Sequence, residues 1–332
     1  MAKGIKDTDY LAISARIRAM ENGLLTRERM EQLLEARTDE DAAKLLQECG
    51  YPELDAASPE ALDKAIAEIR EETFRDLADG APDTRFFDFF RVRYDYHNAK
   101  AAVKALALGA DPAPMLSGLG RVPAAELAEA VRTGEYGELP GELAAAVAEA
   151  KDILDTTRDP QLSDIALDRR MYADLQDIAA ETGSAFLQGY ARTMVDAENL
   201  RALVRTMRMG RNADFLKGAL IDGGEIDVEG VLAAANGGSV AELCAPTAFA
   251  AAGEAGAEAV KGGSLTEFEK LCDDAVTGYL SGAQFVPFGD APLVGYLAAK
   301  ETEYANLRIL LLGRAAGVPA DALRSRLRAG LA

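Results

Sequence analysis

Residues 93–105 read RYDYHNAKAAVKA and hold the only histidine of the chain, His97. With Asp95, Tyr94, Tyr96 and Lys100 beside it, the stretch has the look of an acid–base site. Two other stretches of the same chain point elsewhere. Asp95-Tyr-His-Asn98-Ala-Lys100 aligns with Asp196-Ala-Glu-Asn199-Leu-Arg201 and with Glu303-Tyr-Ala-Asn306-Leu-Arg308. The shared pattern is acid-x-x-Asn-x-base. Three of the six asparagines carry it, where composition alone gives about 0.1 matches by chance.

The three copies stay aligned without gaps. Gly109, Gly210 and Gly317 each lie eleven residues past the asparagine, and Met115, Leu216 and Leu323 lie six further on. Each copy therefore predicts a long helix that ends near a glycine suited to the left-handed C-terminal position. A short loop and another apolar start should follow. The asparagines are 101 and 107 residues apart, about a third of the 332-residue chain. The expectation is a single integrated domain, 1–332, of three internal repeats at roughly 1–115, 116–220 and 221–332.

Spacing also says which way the motif faces. Acid and asparagine stand at i and i+3, on one side of a helix. Ala99, Leu200 and Leu307 follow at i+4, then Ala102, Leu203 and Leu310 at i+7. The polar groups thus share the stripe that packs inward, and a buried asparagine needs hydrogen-bond partners. The base at i+5 points elsewhere. The nine residues Asp95, Asn98, Lys100, Asp196, Asn199, Arg201, Glu303, Asn306 and Arg308 are expected to act as structural clamps. His97 corresponds to Glu198 and Ala305 in the other copies. A surface or packing role suits it better than general base catalysis.

Composition limits the classes of partner and chemistry. Hydrophobic residues make up 49%, aromatics 6%, and tryptophan is absent. This is a globular mix that favours helix over strand. The net charge of −19 disfavours phosphate backbones and anionic membrane surfaces, and suits a basic protein partner. Cys49, Cys244 and Cys272 are odd in number and widely spaced, which fits a reducing compartment better than a disulfide framework. With one histidine and no CxxC, a zinc site has almost no ligands. The N-terminus reads as lacking a signal-peptide core, and arginines interrupt the longest apolar runs before they could span a bilayer.

Amphipathic helical patterns cover most of the chain. Thr26, Thr38 and Ser58 stand as N-caps, with Pro59 at a first helical position. Long helices are predicted over 85–109, 160–182, 184–209 and 292–315, with a further helix near 264–281. Residues 220–228, LIDGGEIDV, could hold two short strands or a turn. The fold expected is all-α.

Other candidate motifs are weak. Asp273-Asp274 is similar to the magnesium-binding acid pairs of helical prenyl-transfer enzymes. However, Thr277 stands four residues past Asp273 and no DDxxD follows. Asp273 and Asp274 would nonetheless carry the alternative of a metal-dependent helical enzyme with an acidic pocket. No GxGxxG, GK[ST] or Gly-x-Ser-x-Gly is present. Nothing near Cys272 would lower its pKa. Arg324, Arg326 and Arg328 make the C-terminal segment locally basic. A generic helical scaffold is a third reading, but solenoid repeats usually run about 20–50 residues.

With these motifs in hand, the chain resembles the C-subunit family of V/A-type ATP synthases, homologous to the d subunit of eukaryotic vacuolar ATPases. The resemblance rests on RYDYHNAKAAVKA at 93–105, VDAENLRALVRTMRMG at 195–210 with FLKGALIDGGEID, and GYLAAKETEYANLRILLLGRAAGVP at 295–319. YLAISARIRAMENGLL at 10–25 resembles the family's opening helix. The resemblance implies an all-α, funnel-like body of three similar lobes around a pseudo-threefold axis. It implies a place on the cytoplasmic side of the membrane proteolipid ring, where the protein receives the foot of the central shaft, the D and F subunits. It further implies torque transfer between ATP turnover and proton or sodium movement, with no catalytic residue, cofactor, metal or small-molecule substrate.

Overall fold

The computed structural model describes residues 5–54 and 58–330. It is 74% helical, with no strand among the described residues. The chain divides into two compact units. Unit 1 joins Met1–Thr84 to Val276–Ala332, and unit 2 is the continuous stretch Arg85–Ala275.

Unit 1 opens with a 3-10 turn, Asp7–Tyr10, that runs into α1 (Leu11–Met20). Next come α2 (Arg27–Glu35), α3 (Asp39–Glu48) and α4 (Pro59–Ala78). Their starts are set by side-chain caps: Thr26, Thr38 and Ser58 accept hydrogen bonds from the backbone N–H groups of Arg29, Asp41 and Ala61. Each satisfies one N–H that the first turn leaves unpaired.

Unit 2 begins with α5 (Arg85–Leu108), followed by α6 (Ala124–Thr133), α7 (Gly141–Thr157) and α8 (Pro160–Thr182). Then come α9 (Ala185–Arg208), α10 (Ala213–Ala219), α11 (Val228–Ala235), α12 (Val240–Cys244) and α13 (Ala250–Val260). Helix α5 packs on α6, α7 and α8, and α9 on α8, α10, α11 and α13. Helix α14 (Leu265–Ser281) begins in unit 2, and its last turns belong to unit 1.

Unit 1 is completed by α15 (Asp290–Ala315) and α16 (Ala320–Arg324). Helix α15 packs on α1, α2, α4 and α16. Leu33, Leu46, Leu62, Leu307, Leu310 and Leu323 share one buried core there. Every residue from Ala291 to Lys300 is buried, so this half of α15 is covered on all sides rather than along one stripe.

The three motif-bearing helices, α5, α9 and α15, end in the same way. Gly109, Gly210 and Gly317 have φ of 64°, 64° and 68°. The following N–H groups, of Ala110, Arg211 and Val318, reach back to the carbonyls of Ala105, Thr206 and Gly313 at 2.9, 3.0 and 2.9 Å. This six-to-one closure satisfies a carbonyl left over by the last turn, and it needs a left-handed residue that glycine supplies without strain. Beyond the glycines the copies diverge. Leu216 and Leu323 are buried, but Met115 is exposed, so the expected apolar start after the first helix does not form. Of LIDGGEIDV, residues 220–227 form a loop with no strand and Val228 opens α11.

Candidate functional site

The three asparagines make the same contact. Asn98 Nδ2 donates to the carbonyl of Ser117 at 2.8 Å, and Ser117 N donates back to Asn98 Oδ1 at 2.7 Å. Asn199 pairs with both backbone groups of Ile221 at 2.8 and 2.9 Å. Asn306 pairs with both backbone groups of Arg328 at 3.0 Å each. A primary amide carries a donor and an acceptor side by side, so it can meet one residue's C=O and N–H together. All three asparagines are buried. Each thus fastens the interior of its helix to a loop 19 or 22 residues downstream.

The acids use the same loops in the first two copies. Asp95 Oδ1 accepts from Arg121 N at 2.8 Å and Val122 N at 3.1 Å. Asp196 accepts from Glu225 N at 3.1 Å and Ile226 N at 2.9 Å. Gly120 and Gly224 bring the loop in close. A Cβ on either would collide with the Oδ1 of the acid below it. Burial pushes both carboxyls above the usual carboxylate range, against the opposing pull of their hydrogen bonds. At Asp95 one of those bonds comes from Arg121 Nε, at 2.6 Å, and the same guanidinium reaches Asp174 on α8 at 2.7 Å.

The third acid departs from this plan. Glu303 accepts from the Leu25 backbone N–H, the Tyr51 hydroxyl and Lys300 Nζ, the last at 2.5 Å. Lys300 also lies over the rings of Tyr51 and Tyr304, at 4.6 and 5.0 Å from their centroids. Burial, then Glu303, pushes the Tyr51 hydroxyl pKa up, so the phenol serves as a hydrogen-bond donor. Glutamate is one carbon longer than aspartate, which suits it to a more distant set of donors. The residues that would match Gly224 and Glu225 in this copy fall outside the described ones.

The bases face a neighbouring helix. Lys100 pairs with Asp168 on α8 at 2.5 Å, Arg201 with Asp273 on α14 at 2.6 Å, and Arg308 with Asp63 on α4 at 2.5 Å. The acceptor stands each time on the helix before a motif-bearing helix, 31 to 35 residues ahead of that helix's asparagine. Copy one reaches the helix that leads into copy two, copy two the one that leads into copy three, and copy three the one that leads into copy one. Sequence reasoning left Asp63 and Asp168 unassigned and gave Asp273 only the alternative of a metal ligand. Their nearly constant distance from the asparagine was the signal available.

His97 is exposed, with Nε2 at 3.0 Å from the Met115 carbonyl. Asp273, a candidate metal ligand by sequence, is engaged by Arg201. Among the described residues no group of three or more His, Cys, Asp and Glu is arranged to hold a metal. Cys272 is buried and its thiol is pushed up to about 12, chiefly by burial. The recess that Glu303 and Asn306 border has a volume of about 10 Å³, room for one water at most. The polar groups of the motif are spent on backbone, loops and neighbouring helices.

A family model described as ATP synthase (C/AC39) subunit matches residues 13–326. The chain belongs to that family. The chain is 24% identical to the C subunit of the V-type sodium ATPase of Enterococcus hirae, over 96% of its own length and 98% of that protein. It is 26% identical to the C subunit of the A-type ATP synthase of Methanocaldococcus jannaschii, over 96% of its length and 86% of that protein. It is likewise 26% identical to the A-type ATP synthase C subunit of Haloferax volcanii, over 95% and 96%. The family is a structural component of rotary ATPases rather than a catalytic one. No described helix is long and apolar enough to cross a membrane.

Proposed function

We propose that this protein is the non-catalytic central-stalk subunit of a V/A-type ATP synthase or ATPase. It joins the rotating shaft, made of the D and F subunits, to the membrane proteolipid ring on the cytoplasmic side, and passes torque to proton or sodium transport. Beyond family membership, the observation that carries this reading is where the repeated polar residues go. All nine are taken up inside the chain by backbone, loops and neighbouring helices. Such wiring serves a body that transmits force without deforming, and it commits these nine residues to structural contacts.

The same wiring supports three repeats, each made of a helix bearing an acceptor acid, a motif-bearing helix and the loop that closes on it. The net charge of −19 suits a basic shaft tip, and acts on encounter rate and register more than on affinity. Purification of the complex from native membranes through a tag on this chain, with every band identified, tests the assignment. Shaft and proteolipid subunits should co-purify. Recovery of the chain without them, or metal-dependent turnover by the chain alone that is lost in Asp273→Asn, overturns it.

A further inference from the structure

Unit 1 holds two phenylalanines in water on a loop whose backbone is fixed. The loop runs from the 3-10 turn Gly282–Phe285 to the start of α15, as QFVPFGD over 284–290. Phe285 is 85% exposed and Phe288 39%. Leaving such side chains in water forgoes the stabilisation that burial gives an aromatic ring. A floppy tip would explain this, but the loop is held from both sides. Arg18 Nη2 donates to the carbonyls of Ala283 at 2.7 Å and Val286 at 2.6 Å. The other arm of Arg18 is fixed by Glu21 at 2.7 Å. Ser14 Oγ donates to the Gly289 carbonyl at 3.3 Å, and the Asp7 side chain lies against Gly289.

Asp7, Leu11, Ser14 and Arg18 follow one another at helical spacing, so Leu11 lies on the stripe that holds the loop. Leu11 is itself 49% exposed. The chain thus presents Phe285 and Phe288 on a pinned loop, and Leu11 on the helix stripe that holds it. The charged neighbours of this surface in sequence are Lys6, Asp7, Asp9, Arg16, Arg18, Glu21 and Asp290; Arg16 and Arg18 are paired with Asp76 and Glu21, which leaves one positive against three negative.

We propose that this surface is a docking platform for an amphipathic helix of another subunit of the complex, apolar where it meets Phe285 and flanked by lysine or arginine. A rigid aromatic patch rimmed by polar residues is the form a protein-binding site takes. The acidic rim selects a basic partner and repels an anionic bilayer. The inference rests on the chain working inside the complex, not on which part of the complex it occupies.

The test is a photo-reactive benzoylphenylalanine at position 285 in the purified complex, with the joined peptide sequenced. The expected product carries one segment of another subunit, with apolar residues at helical spacing and lysine or arginine beside them. Phe285→Asp should leave the melting curve of this chain unchanged, because that side chain is 85% exposed. It should weaken retention of that subunit about tenfold or more. Attachment to lipid, to an acidic segment or to a second copy of this chain, whose Arg324–Arg328 segment is basic, overturns the proposal. So does wild-type retention in Phe285→Asp, with or without a cross-link. A chain that co-purifies with the shaft but fails these tests loses the platform and keeps the assignment above.

Discussion

At the residue scale, the amide side chain is the group with the fewest substitutes. Asn199 satisfies a buried N–H and a buried C=O of Ile221 at once. In Asn199→Leu both are stranded, and the expected loss is about 1–3 kcal/mol, read as a lowered midpoint in thermal or urea unfolding. An unchanged midpoint refutes a clamping role. His97→Ala is the contrast: it removes one contact at the surface and should stay within about 0.5 kcal/mol.

Asp196 gives a pH signature. Burial raises its pKa in the folded state, so the native protein holds this proton to higher pH than the unfolded chain does. Its contribution is therefore most favourable below the ordinary carboxylate value and declines as pH rises through the raised one. Relative to Asp196→Asn, the wild type should lose stability as pH rises above the ordinary carboxylate value of about 4, measured by urea unfolding at each pH. The opposite slope would mean that the Glu225 and Ile226 N–H groups outweigh burial. The inward direction of these residues could be read from spacing, because i, i+3, i+4 and i+7 share one face. Their partners could not. Ser117, Ile221 and Arg328 contribute backbone only, and backbone leaves no residue signature in a sequence.

At the element scale, α5 and α9 are each held at the acid by the closing loop and at the base by a second helix. The loop's approach depends on a missing side chain. Gly224→Ala would drive a methyl into the Asp196 carboxylate, and the loop must retreat from both its bonds. We expect about 1–3 kcal/mol of destabilisation, with faster amide exchange at Glu225 and Ile226. The base contact is more modest. A double-mutant cycle of Arg201→Met and Asp273→Asn should give about 1 kcal/mol of coupling between α9 and α14. The cycle at Arg308 and Asp63, whose side chains are about half exposed, should give less.

The long helices were legible in the sequence because caps, prolines and C-terminal glycines punctuate them. Helices α12 and α13 were not. Helix α12 is only five residues long and α13 is rich in alanine and glycine, so no apolar period stands out. Gly253 and Gly256 act there as close-packing surfaces against Cys244, Val204 and Phe268.

At the scale of the whole molecule, helix content and the all-α class followed from composition and period. The division into units did not, because internal repetition and compactness answer different questions. The motif recurs three times, whereas contacts group the chain into two units. Unit 2 is one uninterrupted segment with its own buried core and two of the three amide closures. A fragment of residues 85–275 should fold alone, with helical circular dichroism and a cooperative melt. The segment 1–84, which lacks α15, should not. A fragment 85–275 that stays unstructured would show that unit 2 depends on the remainder.

Unit 1 draws on segments that flank unit 2 in the chain, and this bears on synthesis. As the polypeptide leaves the ribosome, α1 to α4 emerge long before α15, the helix they pack on. They must remain open while all of unit 2 is translated. Unit 2 meets no such delay and can reach its final form first. A chaperone acting on this protein during translation would find its work on the early helices, whose apolar faces wait longest for cover.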